Sequence, residues 1–86
     1  MSTSPESARI PTNEDEIVSA LSHWLAAHHG NARLRSELRD IGTDGLSPDQ
    51  RSAVEELLRE LDVAPEGVRG SLEMLVRETL EAVALG

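Results

Sequence analysis

An all-α fold, a small bundle of three to four helices, is predicted by three observations. Apolar residues recur with a period near 3.6 in three separate stretches. Two helix starts carry complete capping signals. No stretch alternates with period two, and β-branched residues are sparse.

The chain of 86 residues allows one domain. Residues 1–11 are rich in Ser, Thr and Pro and show no apolar period, so they are expected to form a flexible N-terminal tail ahead of a single domain over 12–86. From Thr12 the pattern changes. Thr12 with Asp15, or Asn13 with Glu16, is placed as a capping box, and three acids fall in the first turn. Ile17, Val18, Leu21, Trp24, Leu25 and His28 then make the inner stripe of a first helix, with Trp24 expected to be buried and Gly30 placed to end the helix in a left-handed cap.

Between Asn31 and Ile41 only Leu34, Leu38 and Ile41 are large and apolar, enough for a packed connection, a loop or one short helix. Ser47, Pro48 and Gln50 give the second complete start: Ser as N-cap, Pro at the first helical position, Gln at the third. The helix they open is expected to run to about Asp62 on an Ala53, Val54, Leu57, Leu58 and Leu61 stripe, with Glu55 and Arg59 as an outer i,i+4 pair. Pro65, Gly67 and Gly70 mark a turn or short helical piece. Ser71 is the expected cap of a last helix, whose inner face is Leu72, Leu75, Val76, Thr79, Leu80 and Val83.

Composition excludes several function classes. There is no Cys, which removes disulfides, thiolate metal sites and cysteine nucleophiles and makes a reducing cytoplasm the expected compartment. Lysine is absent as well, and all 8 cations are Arg. Sixteen carboxylates against them leave a net charge of −8, which repels nucleic-acid phosphates, and the single aromatic residue, Trp24, offers no stacking platform. No apolar run approaches the roughly 20 residues of a membrane span. His23, His28 and His29 would lie about 140° and 240° apart around one continuous helix, so no metal site is expected from them. Asp40, Asp44 and Gly45 match positions one, five and six of a calcium loop, but Arg51 stands where the twelfth position needs a bidentate Glu. No nucleophile, base and orienting group assemble by spacing, so the chain is not expected to be an enzyme.

Leu38, Asp40, Gly42, Asp44 and Leu46 resemble the LxDLGxDSL loop of acyl and peptidyl carrier proteins, and Gly70 to Val76 resembles that family's entry into its last helix. The resemblance spans roughly Glu14 to Leu85. It implies an acidic bundle with a long loop after helix one and a short helix before the last, acting with partner enzymes of fatty-acid, polyketide or peptide assembly. Gly45 occupies the place of the serine that carries 4'-phosphopantetheine. Ser47, two residues on, puts Ala53, Val54, Leu57 and Leu61 in the family's register and is the candidate attachment site, although Pro48 replaces the usual Leu or Met. The resemblance further implies that Asp44, Asp49, Glu55 and Glu56 dock on basic patches of protein partners. The alternative is a small acidic interaction module, adaptor or regulator, in which Ser47 serves as a helix cap.

Overall fold

The computed structural model describes residues 12–65 and 67–85, and the tail expected over 1–11 lies outside them. Four helices follow in order: α1 (Asn13–Leu25), α2 (Asn31–Ile41), α3 (Pro48–Val63) and α4 (Gly70–Leu85). No strand occurs among the described residues. The fold is the small all-α bundle that the periodicity predicts.

α1 begins at the Thr12–Asp15 capping box. The Asp15 amide donates to Thr12 Oγ1 at 3.1 Å and the Thr12 amide to Asp15 Oδ2 at 3.3 Å. Glu14, Asp15 and Glu16 lie at the positive end of the helix dipole. Ile17, Ala20, Leu21 and Trp24 are buried, and Trp24 is only 1% exposed.

The end of α1 departs from expectation. The helix stops at Leu25, five residues before Gly30, in a Schellman turn: the Ala27 amide donates to the Trp24 carbonyl and the His28 amide to the His23 carbonyl, each at 2.9 Å. Ala27 occupies the left-handed position at φ 66°, where glycine is the usual residue. His28 consequently leaves the inner stripe and is exposed. Gly30 is instead the extended N-cap of α2, with φ −86°. Because a Cβ in the left-handed region is strained, Ala27→Gly is expected to raise the unfolding free energy by about 1 kcal/mol. Urea unfolding followed by Trp24 fluorescence measures it, and a loss of stability would show that Ala27 is not strained.

Residues 31–41 form a full three-turn helix where a packed connection was expected. Leu34 and Leu38 are buried and Ile41 is half-buried. The inner face is completed by a polar residue, Asn31, only 3% exposed. Outer contacts add to this: Arg33 pairs with Glu37 at 3.4 Å, and Arg39 donates to both carboxylate oxygens of Asp62 on α3 at 2.7 and 2.8 Å. Gly42, at φ 79°, ends the helix.

Leu46, 6% exposed, pins the loop before α3, and Ser47 with Gln50 forms the expected reciprocal cap. Val54, Leu57 and Leu61 are buried, with Ala53 and Leu58 half-buried beside them. Glu55 and Arg59 are exposed and form no ion pair among the described residues, since nothing holds two long side chains together in water. α4 starts two residues earlier than a Ser71 cap would place it, at Gly70. The Arg69 carbonyl accepts from the Leu72 and Glu73 amides, which leaves Ser71 as an exposed residue of the first turn and not its cap. Leu72, Val76, Thr79 and Val83 are buried, and the Thr79 hydroxyl is satisfied by donating to the Leu75 carbonyl at 2.8 Å.

Helix direction follows from three polar contacts. Asn13 at the start of α1 donates to the Ile41 carbonyl at the end of α2, while Gln50 at the start of α3 reaches Glu14 on α1 and the Val83 carbonyl near the end of α4. Consecutive helices therefore run antiparallel. α1 packs on α2 and α4, α3 packs on the same two, and the diagonal pairs make no close backbone contact. Ile17, Leu21, Trp24, Leu34, Leu38, Val54, Leu57 and Val76 fill the space between the four.

Candidate functional site

The segment that resembles the carrier loop lies between α2 and α3 at one end of the bundle. It is tied down by α1: Asn13 Nδ2 donates to the carbonyls of Ile41 at 3.3 Å and Asp44 at 2.9 Å. Gly42 and Gly45 both have φ near +80°, so the two glycines of this loop occupy backbone positions where a side chain would be strained. Gly45 thus has a conformational reason to be glycine where the family motif carries its serine.

Ser47 is half-buried in extended backbone, φ −67° and ψ 164°, directly before α3. Its Oγ accepts from the Gln50 amide at 3.2 Å, and its own amide donates to Gln50 Oε1 at 2.8 Å. Gln50 is nearly inaccessible, at 3% exposure. Its Nε2 donates to Glu14 Oε2 at 2.6 Å and to the Val83 carbonyl at 3.1 Å. The capping residue is thereby the polar joint of α1, α3 and α4. Beside Ser47 lies an open hollow of about 330 Å³ lined by Asp49, Gln50, Glu81, Ala82 and Leu85.

Asp44, Asp49, Glu55 and Glu56 are all exposed, and none of them enters an ion pair among the described residues. Helix geometry sorts them. Asp49 and Glu56, seven residues apart, fall within about 20° of one line along α3, roughly 10 Å apart, with Ser52 between them. Glu55 lies about 100° round from Glu56, on the line that carries Arg51 and Arg59. Asp44 stands in the turn just before the helix. Asp49 and Glu56 are therefore brought together as one stripe, Asp44 is placed at its head, and Glu55 is set apart on a face shared with cations. Glu60, exposed one turn beyond Glu56, extends the stripe.

Three other acids are held by arginine or histidine. Arg33 and His29 contact Glu37, Arg35 and Arg39 contact Asp62, and Arg77 contacts Glu73. The negative potential that remains uncompensated on α3 is consequently concentrated along Asp49, Glu56 and Glu60.

A second polar joint lies at the opposite end, with no counterpart in the sequence reading. Asn31 Oδ1 accepts from Trp24 Nε1 at 2.8 Å, and Asn31 Nδ2 donates to the Val68 carbonyl at 2.8 Å and the Pro65 carbonyl at 3.3 Å. The Arg69 guanidinium stacks 3.9 Å from the Trp24 ring centroid and donates to the carbonyls of Trp24 and His29. A cation thus covers the indole face and a carbonyl in the last turn of α1 together.

His28 and His29 each lie against His23, contrary to the expectation drawn from a continuous helix. The His23 and His29 ring centroids are 5.0 Å apart, and those of His23 and His28 are 6.3 Å apart. The reversal at Ala27 brings them together. No helix is long and apolar enough to cross a membrane, and no group of three His, Asp or Glu side chains stands in ligating positions among the described residues. No family model, curated protein or solved structure matches the chain.

Proposed function

We propose that this chain is an arm-free, carrier-like interaction module. It is non-enzymatic and docks on basic patches of partner enzymes through the outer stripe of α3. The observation that supports this most directly is the contrast in charge pairing. Asp49 and Glu56 stay exposed on one line of α3 with Asp44 in the turn before it, and none of the three enters an ion pair among the described residues, whereas arginine contacts hold Glu37, Asp62 and Glu73. An unpaired acidic line adds long-range attraction to a basic partner, at the cost of self-repulsion within the chain.

Ser47 takes a structural part in this reading. Its hydroxyl and amide are both engaged with Gln50, and Ser47→Ala is expected to cost about 1 kcal/mol of stability while Ser47→Asp, an equally good cap, is nearly neutral. Both variants retain binding.

The test takes a condensing enzyme of carrier-dependent fatty-acid or polyketide assembly as its probe, with binding followed by calorimetry at low and at high salt. Salt-sensitive binding that disappears in the Asp49→Lys, Glu56→Lys double variant is the expected result, and absence of binding at low salt overturns the docking reading. The second reading, a working carrier, is favoured by the hollow beside Ser47, which leaves room around its hydroxyl. Incubation with coenzyme A and a broad phosphopantetheinyl transferase separates the two by intact mass. A gain equal to phosphopantetheine that Ser47→Ala abolishes would replace the arm-free reading.

A further inference from the structure

We propose that the Asp44–Gly45 peptide, in the loop between α2 and α3, is a modification site at which the folded chain converts Asp44 to isoaspartate without an enzyme, loosening the loop. The inference is independent of the docking reading, because it rests on the chemistry of one peptide group.

The reaction needs a free carboxyl group and an open peptide nitrogen beside it. The Gly45 nitrogen adds to Cγ of the protonated Asp44 carboxyl, the carboxyl hydroxyl leaves with the amide proton as water, and a five-membered succinimide remains. Water then opens the ring at either carbonyl. Cleavage of the new bond from nitrogen to Cγ restores aspartate. Cleavage of the original peptide bond leaves isoaspartate, in which the main chain runs through Cγ and the α-carboxylate is free. The water released in the first step is taken up in the second, so no oxidant, reductant or cofactor is required.

Local structure meets both needs. Thr43 to Leu46 form a type II turn: the Leu46 amide donates to the Thr43 carbonyl at 3.2 Å, and Gly45 stands at the third position with φ 82°. The central peptide of such a turn takes no part in the hydrogen bond that closes it. Its two ends differ here. Asn13 Nδ2 donates to the Asp44 carbonyl at 2.9 Å, whereas the Gly45 amide and the Asp44 carboxylate make no hydrogen bond among the described residues. Both residues are exposed, and a Cβ built on Gly45 would meet nothing within 4 Å. The nitrogen is open to the carboxyl.

No other Asp or Asn of the chain is followed by Gly. Asp15, Asp40, Asp49 and Asp62 precede Glu16, Ile41, Gln50 and Val63, whose side chains crowd the nitrogen and whose backbone is fixed in helices. The product differs where the loop is held. The turn closed by Leu46 gains a main-chain carbon, and the carbonyl that Asn13 holds becomes a free carboxylate.

The experiment ages the full-length chain in warm neutral buffer beside a synthetic peptide of residues 41–48, in which Asp44 is the one acid. Isoaspartate is read with a protein-isoaspartate methyltransferase, which moves a methyl group from S-adenosylmethionine to the new α-carboxylate, and is located by peptide mapping. Accumulation at position 44 is expected in the folded chain within about tenfold of the peptide's rate, because an exposed loop opens at almost no cost in free energy. Asp44→Glu, which keeps the charge but would need a six-membered ring, should remove it. Asp44→Asn should convert faster through the same succinimide, releasing ammonia in place of water. The isoaspartate form, once separated, should melt at a lower temperature than its parent. A folded chain that stays unmodified while the peptide converts, equal accumulation in Asp44→Glu, or a modified form that melts with its parent overturns the proposal.

Discussion

Asn31→Ala is expected to lower the unfolding free energy by on the order of 3 kcal/mol, because it leaves the buried indole N–H without its acceptor and takes a donor from two part-buried carbonyls. The Asn31 amide is the partner of Trp24 Nε1 and of the Val68 and Pro65 carbonyls, and it joins α2 to α1 and to the α3–α4 connection. Removing it leaves the indole N–H without an acceptor inside the core, and at 3% exposure little water can reach the site. Asn31→Asp separates the two halves of the effect. The carboxylate still accepts from the indole but has no N–H for the two carbonyls, and it faces them with negative charge, so it should be at least as damaging as alanine at neutral pH. Urea unfolding followed by Trp24 emission measures both. A loss below about 1 kcal/mol in Asn31→Ala, the worth of a single ordinary hydrogen bond, would show that the joint is not coupled.

Gln50→Ala should cost about 2–3 kcal/mol, more than the loss of the Ser47 cap alone. It removes the acceptor for the Ser47 amide and the donor to the Val83 carbonyl, and it strips a 2.6 Å hydrogen bond from the Glu14 carboxylate. Gln50→Glu is the sharper test. Glutamate at the third helical position is a good capping-box residue, so a purely local role predicts little change. Here, however, it would set a second carboxylate against Glu14. Two carboxylates in one site favour retention of a proton on folding, which makes the deficit of this variant largest at neutral pH and smaller as the pH falls through the carboxylate range. Chemical denaturation of wild type and variant at several pH values reads the difference directly. A deficit that does not change with pH would show that Glu14 is not the partner that matters.

These two residues show how far the sequence can be read. Gln50 is identifiable as a capping residue because Ser47 lies three positions away. Its other partners, Glu14 and Val83, are 36 and 33 residues distant and leave no local trace. Asn31 carries no signal of burial, since asparagine is mostly exposed and nothing in its neighbourhood announces Trp24 or Val68 as partners. Its burial is what lets residues 31–41 form a helix with only Leu34, Leu38 and Ile41 as apolar anchors. The histidines show the opposite error. Their angular separation is correct for an unbroken helix and fails because the helix ends in a Schellman turn at an alanine, the position where a sequence reader looks for glycine.

What the sequence alone determined is therefore local or periodic. It settles the all-α class, the capping box at Ser47, a first helix starting at Thr12 or Asn13, the inner stripes of α3 and α4 and that of α1 as far as Leu25, and the burial of Trp24. Each rests on contacts within about four residues or on the side-chain repeat of a helix. Tertiary structure alone decided that 31–41 is a full helix, that Asn31 and Gln50 are the two buried polar joints, that Arg69 covers Trp24, that Asp49 and Glu56 enter no ion pair among the described residues, and that His28 and His29 each lie against His23. Each of these depends on how separate helices pack or on where a helix stops. Such choices follow from the free energy of the whole bundle and not from the propensity of any one segment.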